Sequence, residues 1–200
     1  MSFIRILHAS PDAPAVDIYA NNNLIAEGLS YKQMTNYLPL VPGNYQIQVF
    51  PEGNQMNAVI DTNITIPPDS AFTVAAAGEL ANISLMPIPE IFTPNMPMGM
   101  GNYSYVRFVH LSPNAPSVDI TLPDGTVLFE DVSYTQFTDY IGVTPGTYTL
   151  QVRPAGSNQV VLTIPDLYLM PGAIYSVFAV GLVGETPPLE AIVAVDGEYQ

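Results

Sequence analysis

The chain has 200 residues, 11% of them charged, and its 18 acidic against 4 basic residues give a formal net charge of −14. This charge argues against nucleic acid as a partner, because phosphate binding requires clustered lysine and arginine. The absence of cysteine excludes disulfides, thiolate metal sites and cysteine nucleophiles. No apolar run approaches the ~20 residues of a membrane span, and no signal peptide is visible, so we expect no membrane insertion.

An internal repeat organises the chain. Residues 5–18 read RILHASPDAPAVDI and residues 107–120 read RFVHLSPNAPSVDI, with nine of the fourteen positions identical. Residues 30–53 align in the same way with residues 133–156, and twelve of these twenty-four positions match. The chain therefore contains two copies of one module.

A segment rich in proline, methionine and glycine separates the two copies. Such a composition disfavours helix interiors and central strands, and prolines limit the freedom of a linker. We predict a first module over residues 1–88, a linker over 89–102 and a second module over 103–200. The linker methionines alternate; thioethers suit Cu(I), but flexible methionines more commonly cover an apolar patch. They are Met96, Met98 and Met100.

Strand patterns run through both copies. Residues 3–8, 45–50 and 148–152 alternate between two faces, as half-buried strands do. Asp124-Gly125 predicts a hairpin turn between apolar segments. Residues 177–180 are apolar on both faces, which is typical of a central or doubly covered strand. Short strands at these spacings predict a β-sandwich for each module.

Two tyrosines begin equivalent strands. Tyr45 and Tyr148 each follow a Pro-Gly pair by one residue. This position suits a tyrosine corner, with the ring in the core and the hydroxyl group bonded to the backbone.

The polar residues that recur in both copies include the three residue types of a hydrolytic triad, which in the first copy are His8, Ser10 and Asp17. Ser10, however, precedes a proline, where the backbone is extended and hydroxyl groups usually cap turns. No nucleophile elbow is present. We therefore predict no catalytic residue and a structural motif. Its members are Arg5, His8, Ser10 and Asp17 in the first copy and Arg107, His110, Ser112 and Asp119 in the second.

Each motif residue type has a structural use. A buried histidine must find partners, so we expect His8 to bond across the Ser-Pro-x-Ala-Pro loop to a backbone carbonyl or to Asp17. Arg5 and Arg107 present planar forks of donors and are predicted anchors for a carboxylate or for loop carbonyls.

Acidic residues can be ligands of calcium, and a Ca²⁺ site needs six to eight converging oxygens. No Asp-x-Asp-x-Asp string exists, and the nearest groups are Glu130-Asp131 and the tail with Asp196 and Glu198. Acids scattered over a solvated surface are the favoured interpretation. We predict no metal site and no cofactor.

The string Arg-x-x-His-x-Ser-Pro-x-Ala-Pro-x-Val-Asp-Ile, followed by Ser-Tyr, Tyr and Pro-Gly-x-Tyr-x-x-Gln-Val, resembles the domain-of-unknown-function 4397 family of bacterial proteins. Both copies match. The resemblance implies an immunoglobulin-like or transthyretin-like sandwich, often in tandem and frequently in exported or surface proteins. It implies no established activity. Together with the strand patterns, it predicts an all-β chain of two tandem immunoglobulin-like antiparallel β-sandwich modules.

The function we expect is that of a non-catalytic structural or protein-interaction module of the bacterial cell envelope or a surface assembly. An exposed edge strand could pair with another copy or with a protein partner. The alternative is a ligand-binding module for glycan or Ca²⁺, using inter-strand loops such as residues 9–15 and 111–117. A hydrolase would require a pocket that brings His8 and Ser10 together.

Overall fold

The computed structural model describes residues 1–91 and 100–199, and in this part of the chain the regular structure is strand apart from two short 3-10 turns. Two compact units form. The first contains residues 1–91 and 197–199, and the second contains residues 100–196. The prediction of an all-β chain with two tandem β-sandwich modules is confirmed.

Eight strands make the first module, and they form two four-stranded sheets of order β4-β1-β7-β8 and β3-β2-β5-β6. The strands are β1 (Ser2–His8), β2 (Val16–Ala20), β3 (Asn23–Leu29), β4 (Leu38–Leu40), β5 (Gly43–Pro51), β6 (Ile60–Ile66), β7 (Ala71–Ala77) and β8 (Ser84–Glu90).

The second module repeats this arrangement, with sheets of order β12-β9-β15-β16 and β11-β10-β13-β14. Its strands are β9 (Ser104–His110), β10 (Val118–Thr121), β11 (Val127–Val132), β12 (Ile141–Val143), β13 (Gly146–Pro154), β14 (Leu162–Leu169), β15 (Ile174–Val180) and β16 (Glu190–Asp196).

One strand pair in each module departs from the expected antiparallel pattern. β1 pairs in parallel with β7, and β9 pairs in parallel with β15. Parallel neighbours need a long crossover connection. Here the connection contains the whole opposite sheet of the module, so the first strand can lie beside the seventh.

The parallel pairs lie at the centre of one sheet in each module. β15 is flanked by β9 and β16, and all of its residues are buried, as predicted for a doubly covered strand. Phe178, in its middle, has no exposed surface. β1 and β9 share one burial pattern, with a single partly exposed residue in each. The motif residues on β1 and β9 are therefore buried, with Arg5 and Arg107 on the sheet face opposite the core residues Ile6 and Phe108.

The predicted turn and tyrosine contacts are present. The amide of Gly125 donates to the carbonyl of Leu122 at 3.0 Å, closing the β10–β11 hairpin with Gly125 at φ +90°. The Tyr45 hydroxyl group donates to the carbonyl of Val41, and that of Tyr148 to the carbonyl of Thr144, both at 2.7 Å. Both rings pack against the cores of their modules.

The ends of the modules differ from the predicted boundaries. β8 continues to Glu90, two residues into the segment predicted as a linker. Pro87 and Pro89 fit in this strand because β8 is an edge strand, where a missing amide donor costs no ladder bond. Residues 92–99, with Met96 and Met98, lie outside the described residues. Residues 197–199, predicted within the second module, belong to the first unit.

The C-terminal segment packs on the first module through aromatic contacts. The Tyr199 ring stacks on Phe3 with 4.4 Å between centroids and meets Tyr37 edge-on at 4.9 Å. The Gly197 amide donates to the Tyr37 hydroxyl group at 3.2 Å, and the Tyr199 hydroxyl group donates to the carbonyl of Ile91 at 3.2 Å. Residues far apart in the sequence thus complete one module.

We expect Tyr199→Ala to lower the free energy of unfolding of the first module by about 1–2 kcal/mol, because a stacked ring and its buried area are lost. Urea denaturation followed by circular dichroism measures this. Tyr168→Ala is the control, since Tyr168 is 60% exposed on β14 and its loss should change little. Equal effects of the two substitutions would show that Tyr199 does not stabilise the module.

Candidate functional site

The candidate site is built around His8, at the end of β1, where the chain leaves the sheet for the Ser-Pro-x-Ala-Pro loop. Its side chain has no exposed surface. Nε2 lies 3.0 Å from the carbonyl of Pro14, and Nδ1 lies 3.3 Å from the amide of Ser10. A carbonyl only accepts and an amide only donates, so the ring is neutral, with its proton on Nε2.

The second copy reproduces this geometry. His110 has Nε2 3.0 Å from the carbonyl of Pro116 and Nδ1 3.3 Å from the amide of Ser112. Burial lowers the pKa of both histidines below the ordinary value of 6.5, and the bonds to the backbone oppose this only in part. Tyr31 and Tyr134 meet the two rings edge-on, each at 6.3 Å.

The serine hydroxyl groups take no part in a Ser–His pair. Ser112 Oγ donates to the carbonyl of Gly181 at 2.6 Å. Ser10 Oγ is buried and has no hydrogen-bond partner in the described chain. Because both ring nitrogens of each histidine already contact backbone atoms, neither imidazole is placed to accept a proton from a serine.

The aspartates bind turns and not the histidines. Asp17 accepts the amides of Gly28 at 2.8 Å and Gly53 at 2.9 Å. Asp119 accepts the amides of Asp131 and Gly156, both at 2.8 Å. Of the two partners expected for His8, the backbone carbonyl is the one found. The fold thus places the three triad-type residues in separate turn and strand contacts.

Arg5 is the centre of a buried polar cluster. Its Nη2 lies 3.2 Å from Glu90 Oε1, and its Nε donates to Thr73 Oγ1 at 2.8 Å. Thr73 in turn donates to Glu90 Oε1, and the Tyr37 hydroxyl group donates to Glu90 Oε2, both at 2.5 Å. The guanidinium carbon lies 4.9 Å from the centre of the Tyr37 ring. Arg5 thus anchors a carboxylate.

The second module has the same cluster with shorter side chains. Arg107 Nε donates to Ser176 Oγ at 2.7 Å, and Ser176 Oγ and the Tyr140 hydroxyl group donate to Asp196 Oδ2 at 2.5 and 2.6 Å. Arg107 Nη2 lies 3.8 Å from Asp196 Oδ2. Burial raises the pKa of Tyr140 well above its usual value, the Asp196 carboxylate adds to this rise, and Arg107 opposes it.

Sequence reasoning missed the partners of both arginines. Thr73 and Ser176 occupy equivalent positions in the repeat, as do Tyr37 and Tyr140, so the repeat alignment carried a signal for them. The carboxylates differ in type and follow the aligned segments, so no repeated motif marked them. They are Glu90 and Asp196.

The loops considered for ligand binding are hydrogen-bonded to neighbouring segments of the chain. Asp12, in residues 9–15, accepts the amide of Leu80 at 2.7 Å. Asn114, in residues 111–117, accepts the amide of Val183 at 2.7 Å. Within residues 1–91 and 100–199, no group of three or more His, Asp or Glu side chains is arranged to hold a metal ion. The helical turns in the same ranges are too short to cross a membrane.

Comparison with known protein families finds the same duplication of the chain. The family profile described as "Domain of unknown function (DUF4397)" matches residues 2–100 and again residues 104–199. The chain belongs to this family. No curated protein sequence matches the DUF4397 chain.

Two solved structures show a distant similarity of fold to this DUF4397 protein. The C-terminal domain of AlgF from P. aeruginosa is 18% identical over 47% of this chain and 98% of its own, with a TM-score of 0.37. CBMbc (family CBM26) from Eubacterium rectale Amy13K, solved with maltoheptaose, is 11% identical over 96% of this chain and 95% of its own, with a TM-score of 0.30. At these values neither similarity bears on function.

Acidification should destabilise both DUF4397 modules through the histidines. Their pKa is lowered in the folded state, so the unfolded chain takes up protons first as the pH falls below 6.5. The histidine contribution to stability is therefore complete above that pH and is lost as the pH falls toward the folded-state pKa. His8→Gln/His110→Gln, which retains a donor for each loop carbonyl, should lose less stability between pH 7 and pH 5, as measured by thermal unfolding. Parallel curves for the two proteins would contradict this.

Removing one charge of the buried pair should be costly. Arg5→Met leaves the Glu90 carboxylate buried without its cation, and we expect a loss of about 3–5 kcal/mol in the free energy of unfolding. Arg5→Met/Glu90→Leu removes both charges and should recover much of this loss in urea denaturation. A double variant no more stable than the single one would show that the cost is steric.

Proposed function

We propose that this protein is a non-catalytic interaction module of a bacterial surface assembly and that it associates with a second copy through the open edge of β6. The first support is that the duplicated motif serves the fold. In each copy the histidine, arginine and aspartate bond to the backbone or to buried side chains of their own module. Interaction must then use surfaces outside the motif.

The observation that carries the proposal is the regularity of β6. The other edge strands of the first module are protected: β4 has three residues, β3 has register shifts, and β8 contains two prolines. β6 has seven residues, contains no proline, and pairs with β5 without a register shift. Natural proteins shield such edges because unpaired backbone groups accept further strands.

The backbone of Asn63 points to the open side. Asn63 faces Gln46 on β5, and Gln46 uses its own amide and carbonyl for Asn21, on the side away from β6. Asn63 and Gln46 are therefore a non-hydrogen-bonded pair, in which the Asn63 amide and carbonyl face outward. The same holds for Asp61 and Thr65, two residues to either side.

A second copy fits this edge. Two antiparallel β6 strands centred on Asn63 place Asp61 of each against Thr65 of the other, so no like charges meet. The pairing forms about six backbone hydrogen bonds. Beside β6, an apolar groove of about 290 Å³ lined by Ile64, Phe72 and Pro87 adds contact area next to the paired strands. Such a small two-fold interface joins two copies and is weak by itself.

The second module supplies a natural comparison. The strand equivalent to β6 is β14, which contains Pro165 and a register shift against β13. β16 is regular, but Glu190 and Val195 make further contacts. The first module therefore offers the open edge. Location at the cell surface remains a prediction that rests on the family resemblance.

Asn63→Pro should abolish association. Proline removes an outward amide and no β5–β6 bond, so the module should fold while edge pairing is blocked. Sedimentation velocity over increasing protein concentration is the measurement. Asn63→Ala is the matched control, because it loses the same side chain but keeps the amide, and it should associate like the unchanged protein.

Salt gives a second criterion for this association. Two copies that each carry a charge of −14 repel one another, so added NaCl should strengthen pairing. A protein that stays monomeric at all concentrations and salt levels, or an Asn63→Pro variant that associates normally, would refute the proposal.

A further inference from the structure

The first module holds residues 197–199 in a small site beside β1. We name these residues the tyrosine segment, and we define the tyrosine site by its three partners, Phe3, Tyr37 and Ile91. The Tyr199 ring stacks on the Phe3 ring at 4.4 Å, with the two planes 9° apart. Two hydrogen bonds of 3.2 Å, to the Tyr37 hydroxyl group and to the Ile91 carbonyl group, accompany the stacking. A stretch of only three residues therefore makes all of these contacts.

The tyrosine site is formed by residues of the first module. Phe3 lies on β1 between its neighbours on β4 and β7. The Tyr37 hydroxyl group donates to the Glu90 carboxylate at 2.5 Å, and the Arg5 guanidinium carbon lies 4.9 Å from the centre of the Tyr37 ring. These contacts do not involve the tyrosine segment, so we expect the site to keep its shape when the segment leaves. A preformed site binds a separate peptide with little cost of ordering the site.

The tyrosine segment is built to detach. It follows Asp196, whose carboxylate is held in the second module by the hydroxyl groups of Tyr140 and Ser176. Gly197 comes next at φ +83°, a conformation that glycine adopts without strain. The hydrogen bonds of the segment are longer than the usual value of about 2.9 Å, and the Glu198 side chain is exposed. Segments with few buried contacts open more readily than the strands around them.

We propose that the tyrosine site of one copy also binds the tyrosine segment of a second copy, so that copies are joined by exchange of residues 197–199. The contacts between copies are the same as those within one copy, so exchange loses no interaction at the site. The attached segment has a high effective concentration, whereas binding between copies increases with protein concentration. A second copy is the partner that fits, because its segment is identical to the one that occupies the site.

This contact goes beyond β6 pairing and uses another part of the module. Phe3 belongs to the sheet β4-β1-β7-β8, whereas β6 lies at the edge of the other sheet. β6 pairing joins two identical surfaces, whereas exchange joins a site on one copy to a segment of the other. Reciprocal exchange closes a dimer, and one-way exchange leaves a site and a segment for further copies.

The first test uses the full chain with Tyr199→Ala, which keeps the site but lacks the ring that fills it. A fluorescent, amidated peptide of residues 194–199 is titrated, and its affinity is measured by anisotropy. The peptide should bind this variant at least about tenfold more tightly than it binds the unchanged protein, whose own segment competes. It should also raise the melting temperature of the variant, because it binds the folded state.

Substitutions in the two modules locate the bound peptide. Adding Phe3→Ala to the Tyr199→Ala protein removes the stacking partner and should weaken peptide binding about tenfold. Tyr105→Ala is the matched control, because Tyr105 has the position of Phe3 on the equivalent strand pair of the second module. It should leave the affinity within about twofold, as expected for a distant site. A peptide with alanine in place of Tyr199 should not bind.

Mixing two variants tests exchange between whole copies. The Phe3→Ala protein keeps the segment and the Tyr199→Ala protein keeps the site, so only a mixed pair can form the stacked contact. Both proteins also carry Asn63→Pro, which blocks β6 pairing. In sedimentation velocity, each protein alone should be monomeric, and the mixture should associate as its concentration rises. Circular dichroism checks that both are folded, and Phe3→Leu replaces Phe3→Ala if the latter unfolds.

Three results would overturn the proposal. A peptide that fails to bind the Tyr199→Ala protein would show that the site holds only the attached segment. Equal weakening by Phe3→Ala and Tyr105→Ala would place the peptide elsewhere. A mixture that remains monomeric at all concentrations would show that copies do not exchange the segment.

Discussion

Each module depends on an arginine that is buried in its central strand pair. An arginine cannot lose its proton inside a protein, so its burial requires a carboxylate and further acceptors. The parallel register supplies the first partner, because Arg5 lies opposite Thr73 and Arg107 opposite Ser176. The last strand supplies the carboxylate, at Glu90 or Asp196. The polar cluster is therefore complete only when the first, seventh and eighth strands have all assembled.

The sequence predicted the fold better than the site, for physical reasons. Alternation along strands and the Asp124-Gly125 turn report local geometry, and repetition allowed the strand patterns to be seen twice. The parallel pairing of β1 with β7 depends on the path of the whole module, which no local pattern records. His8 contacts Pro14, six residues away, and this short range made its loop contact predictable. Glu90 lies far from Arg5 in the sequence and differs in type from Asp196, so pairing could not be read from the repeat.

The residues that the two copies share serve the fold, and the residues that differ shape the surfaces. His8 and His110 make the same contacts at the same distances. By contrast, the edge strand β6 of the first module is regular, whereas the equivalent strand β14 of the second is interrupted by Pro165. Duplication followed by divergence thus gives one scaffold two different surfaces, and identity between the copies marks packing constraints more than binding.

The distribution of charge limits what those surfaces can do. Half of the four basic residues are buried against carboxylates, where each pair is internally neutralised. This leaves Lys32 and Arg153 to face a surface of exposed acids. Contacts between copies must then rely on uncharged groups, such as the backbone of β6, while contacts through side chains favour basic partners. Arg5 and Arg107, which link the first strand of each module to its last two strands, are thereby withdrawn from the surface. Their burial determines which interactions the exterior supports.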